Sequence, residues 1–87
     1  MLTTWKFPLA FIDYQKIEMP KGANILCVQA QDNVVCLWAE VEDESLKEYR
    51  NILMAGTGQP LPNGNYIGTA QTGPYVWHVY EGVKEQA

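Results

Sequence analysis

Apolar and polar residues alternate with a period of two along most of this chain, the pattern of strands with one face in a core and the other in water. In "YQKIEM", Ile17 and Met19 alternate with Lys16 and Glu18. "NILCVQA" and "VVCLWAEVE" are the clearest strand passages, rich in β-branched and aromatic residues. "TTWKFPL" predicts a first strand, weakened by Pro8, which has no main-chain donor. "YRNILMAG", "NYIGTAQT" and "YVWHVYE" predict three more. Turn chemistry separates them at Pro20-Lys21-Gly22, Asp32-Asn33 and Gly73-Pro74.

Two hairpins can be put in register. With Asp32-Asn33 at the tip, Val28 faces Leu37, Ala30 faces Val35 and Leu26 faces Ala39. That face is wholly apolar and reads as core. The other face, with Ile25, Cys27, Gln29, Cys36, Trp38 and Glu40, is mixed, with Cys27 opposite Trp38. It suits a second buried layer, a subunit interface or a ligand wall. With Gly73-Pro74 at a type II′ tip, Ala70 faces Trp77 and Thr69 faces His78. Trp77, Val79, Ala70 and Gly68 then share the core face, with Gly68 expected beneath an aromatic ring. Ile67, Thr69, Gln71, Val76, His78 and Tyr80 share the opposite one.

The passage "EDESLKEYRN" alone looks helical, with Ser45 and Glu48 spaced as in a capping box. Its apolar positions stop at Leu46 and Tyr49, so at most one short helical turn near 43–49 is expected. The fold class is therefore all-β: a small sandwich or barrel of six or seven short antiparallel strands in a single domain, residues 1–87. The tail "GVKEQA" is expected to fray.

Composition narrows the function classes. With six basic and ten acidic residues the net charge is −4. Long nucleic acid is thus not expected as a partner, since it demands a basic stripe. The opening "MLTTWKFPLAF" lacks the basic start of a signal peptide, and no apolar run reaches transmembrane length. No membrane association is expected. Two cysteines, Cys27 and Cys36, and one histidine, His78, offer no metal-ligand spacing. A chain this short buries a modest fraction of its surface. With neither metal nor disulfide expected, self-association into a homo-oligomer is the expected reinforcement, and the mixed face around Trp38 its natural place.

Candidate chemistry centres on "MAGTGQPLPNGNYIGT", with four glycines and two prolines between Met54 and Thr69. Neither a Walker loop nor a dinucleotide fingerprint is present, because Pro60 and Pro62 follow Gly58 where a helix would have to begin. Two readings stay open. The segment is a long connector, or Gly56, Thr57 and Gly58 form a nest of N–H groups for an anion. Arg50, the only arginine, lies on the strand that feeds it, on the same side as Gly56 by alternation. Thr69 opposite His78 reads as a packing pair, and no catalytic set, metal or cofactor is expected.

The ordered phrases "WKFPL", "KIEMPKGANILCVQAQ", "CLWAEVE", "GTGQPLP" and "YIGTAQTGPYVWHVYE" resemble a family of small uncharacterised proteins of tailed phages and prophages. The resemblance runs from Trp5 to Glu81 and implies origin more than chemistry. By analogy it implies a phage accessory protein in the cytoplasm of an infected bacterial host. The expected activity is non-enzymatic binding and sequestration of a small anionic or nucleotide ligand, above all a nucleotide signal of an anti-phage system. Trp38, Arg50, Gly56, Thr57, Gly58, Thr69, Gln71 and His78 are the candidate ligand-binding residues. The alternatives are a protein-binding inhibitor of a host factor and a minor structural protein of the virion.

Overall fold

The computed structural model describes residues 1–83. Seven strands form: β1 (Leu2–Pro8), β2 (Tyr14–Pro20), β3 (Asn24–Gln31), β4 (Val34–Glu42), β5 (Lys47–Gly56), β6 (Gly64–Thr72) and β7 (Tyr75–Gly82). They build two antiparallel sheets, ordered β1-β4-β3 and β2-β5-β7-β6. The sheets pack face to face as a small β-sandwich. Val35, Leu37, Ile52 and Val79 are fully buried between them, and Met19, Ala39 and Val41 form a second core cluster.

Both predicted hairpins form. Asp32 and Asn33 have φ of 51° and 61°, the paired left-handed values of a type I′ turn. Gly73, at +55°, has the positive φ that a type II′ turn requires. Asparagine tolerates the left-handed region less well than glycine. Asn33→Gly should therefore stabilise the fold by about 0.5–1 kcal/mol. Circular dichroism should show a melting temperature higher by roughly 2–6 °C.

Near the tip of the first hairpin the predicted register holds, with Val28 opposite Leu37 and Ala30 opposite Val35. It then slips. A bulge between Ile25 and Cys27 puts Ile25, not Leu26, against Ala39. Ile25 packs on both core clusters, while Leu26 turns outward and is 50% exposed. A second bulge, between Tyr66 and Gly68, does the reverse in β6. Ile67, expected on the outer face, packs against the core instead. The two bulged strands are edge strands of opposite sheets and lie against each other. A Cβ on Gly68 would stand 3.1 Å from Val28 Cβ. Gly68 thus makes room for a valine of the facing sheet rather than for an aromatic ring. Bulges bend and twist a strand, which lets the two sheets pinch together along this side. Ala30, expected in the core, is exposed near the hairpin tip.

Other departures are local. Residues 43–46 form a turn with no helical hydrogen bonding, and β5 begins already at Lys47. No capping box forms: the Ser45 N–H donates to the Glu42 carbonyl at 3.0 Å, and Glu48, already in β5, accepts from the Gly22 N–H at 2.9 Å. Gly82, expected to fray, closes β7 opposite Gly64. The rest of the tail, residues 84–87, lies outside the described residues.

The glycine- and proline-rich segment has a topological task. β5 and β6 both run antiparallel to β7, which lies between them. They are therefore parallel, and the chain must travel from one end of the sheet to the other between Gly56 and Gly64. Pro60 and Pro62 suit an extended path. They line a hollow with Tyr14, Leu53 and Ala55.

Candidate functional site

The candidate residues fall into separate places. Arg50 sits near the β2–β3 turn, at one end of the four-stranded sheet. Its guanidinium grips Glu81 in a fork, with Nε to one carboxylate oxygen and Nη2 to the other at 3.0 Å. Nη1 donates to the Ala23 carbonyl at 2.8 Å, and a Glu48 oxygen lies 3.9 Å away. Hydrogen bonds to Glu81 raise the Arg50 pKa above its already high ordinary value, against an opposing effect of burial. The side chain is only 19% exposed. It ties β5 to β7 and to the start of β3, and a phosphate would have to displace a carboxylate to reach it.

Gly56 lies at the opposite end of the same strand. Alternation does put both residues on one face, but six residues of strand separate them by about 20 Å. The loop's N–H groups are also in use. The Gly56 N–H donates to Gln59 Oε1 at 2.9 Å, and the Thr57 N–H to the Val76 carbonyl at 3.2 Å. The Gln59 N–H donates to the Gly56 carbonyl at 3.1 Å. Gly58 carries the turn with φ of +91°. Hydrogen bonds that close a turn in this way leave few donors for an anion.

On the outward face of the four-stranded sheet, His78 is held from both sides. Its Nε2 is 2.8 Å from Thr57 Oγ1, and its Nδ1 is 3.1 Å from Thr69 Oγ1. The Tyr66 hydroxyl hydrogen-bonds to Thr69 in turn. This polar chain fastens the glycine turn to β7 and β6, and no carboxylate joins it among the described residues. Gln71 donates to the Gly73 carbonyl at 3.1 Å and so braces the hairpin tip. Trp38 lies in the other sheet, opposite Lys6 and Cys27, and is not brought to the rest.

What the glycine turn meets instead is a row of rings. Gly56 pairs with Trp77 across the strands. Trp77 is flanked by Tyr75, at a centroid distance of 5.9 Å and 31° between planes, and by Phe11, at 5.3 Å and 45°. The Trp77 indole N–H donates to Thr72 Oγ1 at 2.8 Å, which fixes the ring. Tyr75 is 62% exposed. Tyr75, Trp77 and Pro74 line a hollow of about 410 Å³ together with Gly56, Thr57 and Gln59, and the Gln59 side chain covers Gly56, 3.5 Å from where a Cβ would stand. Among the described residues that line it there is no carboxylate, ammonium, guanidinium or imidazole group. Sequence reasoning assigned Trp77 to the core and passed over Tyr75, Phe11 and Gln59. The signal available was the i, i+2 spacing of Tyr75 and Trp77, which places both rings on one face just where the strand runs out.

The whole chain, residues 1–87, matches the family described as a domain of unknown function, DUF7352. The chain belongs to that family. No curated protein and no solved structure matches it.

Proposed function

We propose that this is a non-enzymatic accessory protein of a phage or prophage that captures a small ligand through a planar ring. Nucleotide signals of bacterial anti-phage defence are the leading class. The observation that carries the reading is the exposed Tyr75 ring beside the Trp77 ring that Thr72 fixes, both lining the hollow. An exposed aromatic face offers a flat heterocycle a stacking surface, and stacking on such a ring contributes about 1–3 kcal/mol. Gln59 lines the same hollow and adds polar contact at its rim. The charge pattern makes the reading more specific. With Arg50 committed to Glu81 and no cation among the described residues of the hollow, the ring is gripped and the phosphates remain in water.

Nucleosides should therefore bind nearly as well as the matching nucleotides. A thermal-shift screen of adenosine, guanosine, cyclic dinucleotides and cyclic ADP-ribose isomers tests this, since a ligand that binds only the folded state raises the melting temperature. Tyr75→Ala should weaken binding at least tenfold while leaving the melting temperature of the free protein nearly unchanged. No shift with any of these compounds at millimolar concentration, or full binding by Tyr75→Ala, would reject the reading.

A further inference from the structure

The four edge strands of this sandwich are not alike. β3 and β6 are bulged and lie against each other. β1 and β2 are regular throughout their paired lengths. A regular edge is a template for another strand unless its side chains forbid it. On β2, main-chain bonds decide which residues are available. The Met54 N–H donates to the Asp13 carbonyl at 3.0 Å, and the Lys21 N–H to the Leu46 carbonyl at 2.7 Å. Hydrogen-bonded pairs recur at every second residue of an antiparallel ladder. The odd-numbered residues of β2 therefore turn their main-chain groups to β5. Tyr14, Lys16 and Glu18 turn theirs outward. Pro20 ends the row, since it is buried, has no N–H, and its carbonyl accepts the Ala23 N–H at 3.1 Å.

Tyr14, Lys16 and Glu18 are all exposed. Lys16 and Glu18 have opposite charges at i and i+2. Such a pair is its own complement when the strand meets an antiparallel copy of itself. We propose that β2 is the dimerisation edge of this protein, pairing antiparallel with β2 of a second copy about a two-fold axis through Ile17.

The register follows from the chemistry. Outward-facing residues must pair with outward-facing residues, so only even-numbered positions can exchange hydrogen bonds. Centring on Lys16 sets lysine against lysine, and centring on Glu18 sets carboxylate against carboxylate. Centring on Ile17 sets Lys16 against the partner's Glu18 at both symmetry-related positions. Directly opposite charges on neighbouring strands attract, and like charges repel. The half-buried Ile17 meets its own copy on the core side. Two four-stranded sheets become one continuous sheet, in a closed isologous dimer. β1 lacks this complement, since Lys6 is its only charge.

Light scattering across micromolar concentrations should give twice the chain mass of 9.8 kDa. K16E and E18K each place like charges at both contacts, and each should weaken dimerisation on the order of ten- to a hundred-fold. Both sites are exposed, so each variant should melt like the parent at concentrations low enough for the parent to be monomeric. Mixing the two variants restores opposite charges at both contacts. The mixture should form a heterodimer, visible by native mass spectrometry, while each alone is a monomer. A parent protein that stays monomeric at 100 µM overturns the proposal. So do single variants that dimerise like the parent, and so does a mixture that fails to associate. None of these outcomes depends on the aromatic hollow.

Discussion

Val28→Asp should leave the chain largely unfolded at 37 °C, while Gln29→Asp should melt within a few degrees of the parent. The two residues are neighbours on β3 and differ only in the face they occupy. Val28 is 6% exposed, stands opposite Leu37 and presses on Gly68 of the facing sheet. Gln29 is exposed. A carboxyl group at position 28 must either ionise in an apolar site or remain protonated there, at a cost on the order of 4 kcal/mol. Loss of the valine's own packing adds to this. A domain of this size has a total stability of roughly 4–13 kcal/mol, so the substitution removes much of it. A urea titration followed by tryptophan fluorescence measures both variants. If the two were destabilised equally, β3 would lie one residue out of register, because a one-residue slip exchanges the faces.

Arg50→Ala should destabilise the fold by about 2–3 kcal/mol. The loss strands a carboxylate on Glu81 and an acceptor on Ala23, both previously bonded to the guanidinium. The figure is below that for a fully buried pair, because about a quarter of the Glu81 side chain remains exposed. Arg50→Lys should recover part of the loss only, since an ammonium group cannot fork across both carboxylate oxygens. Glu81→Gln tests the same contact from the other side. If the pair is the main source of the effect, the Arg50→Ala/Glu81→Gln double variant should be less destabilised than the sum of the two single variants. Full additivity would mean that Arg50 acts through packing along Met19 rather than through its charge. The ring-binding reading adds an independent expectation. Arg50→Ala should leave any nucleoside-induced thermal shift in place, whereas a phosphate site would lose it.

Local patterns were legible where one strand meets its sequence neighbour. Alternation in "VVCLWAEVE" marked β4 from Val34 to Glu42, and the Asp32-Asn33 and Gly73-Pro74 tips set their hairpins. The registers failed only beyond a bulge. Leu26 and Ile67 look like ordinary members of alternating strands, and nothing local distinguishes them. Their placement depends on Val28 and Gly68 meeting across the sandwich, a contact between residues far apart in sequence. Arg50 was read as a free cation for the same kind of reason. Its partner Glu81 lies 31 positions away, and only the β5–β7 pairing brings the two together.

The sequence by itself determined the all-β class, the rough place of the strand segments, the two hairpin tips and the side-chain alternation of the strands without bulges. These depend on residues within a few positions of one another, where turn geometry and alternation leave little choice. The tertiary structure alone decided three things. β7 lies between β5 and β6, so the glycine segment is a crossover between parallel strands rather than a hairpin loop. Arg50 is consumed by Glu81 at one end of the sheet, while Gly56 faces Trp77 at the other. And two edges are pinched shut by bulges while β2 is left regular and open. Each follows from which strands become neighbours, and that is chosen by burial summed over the whole core, a quantity no short stretch of sequence contains.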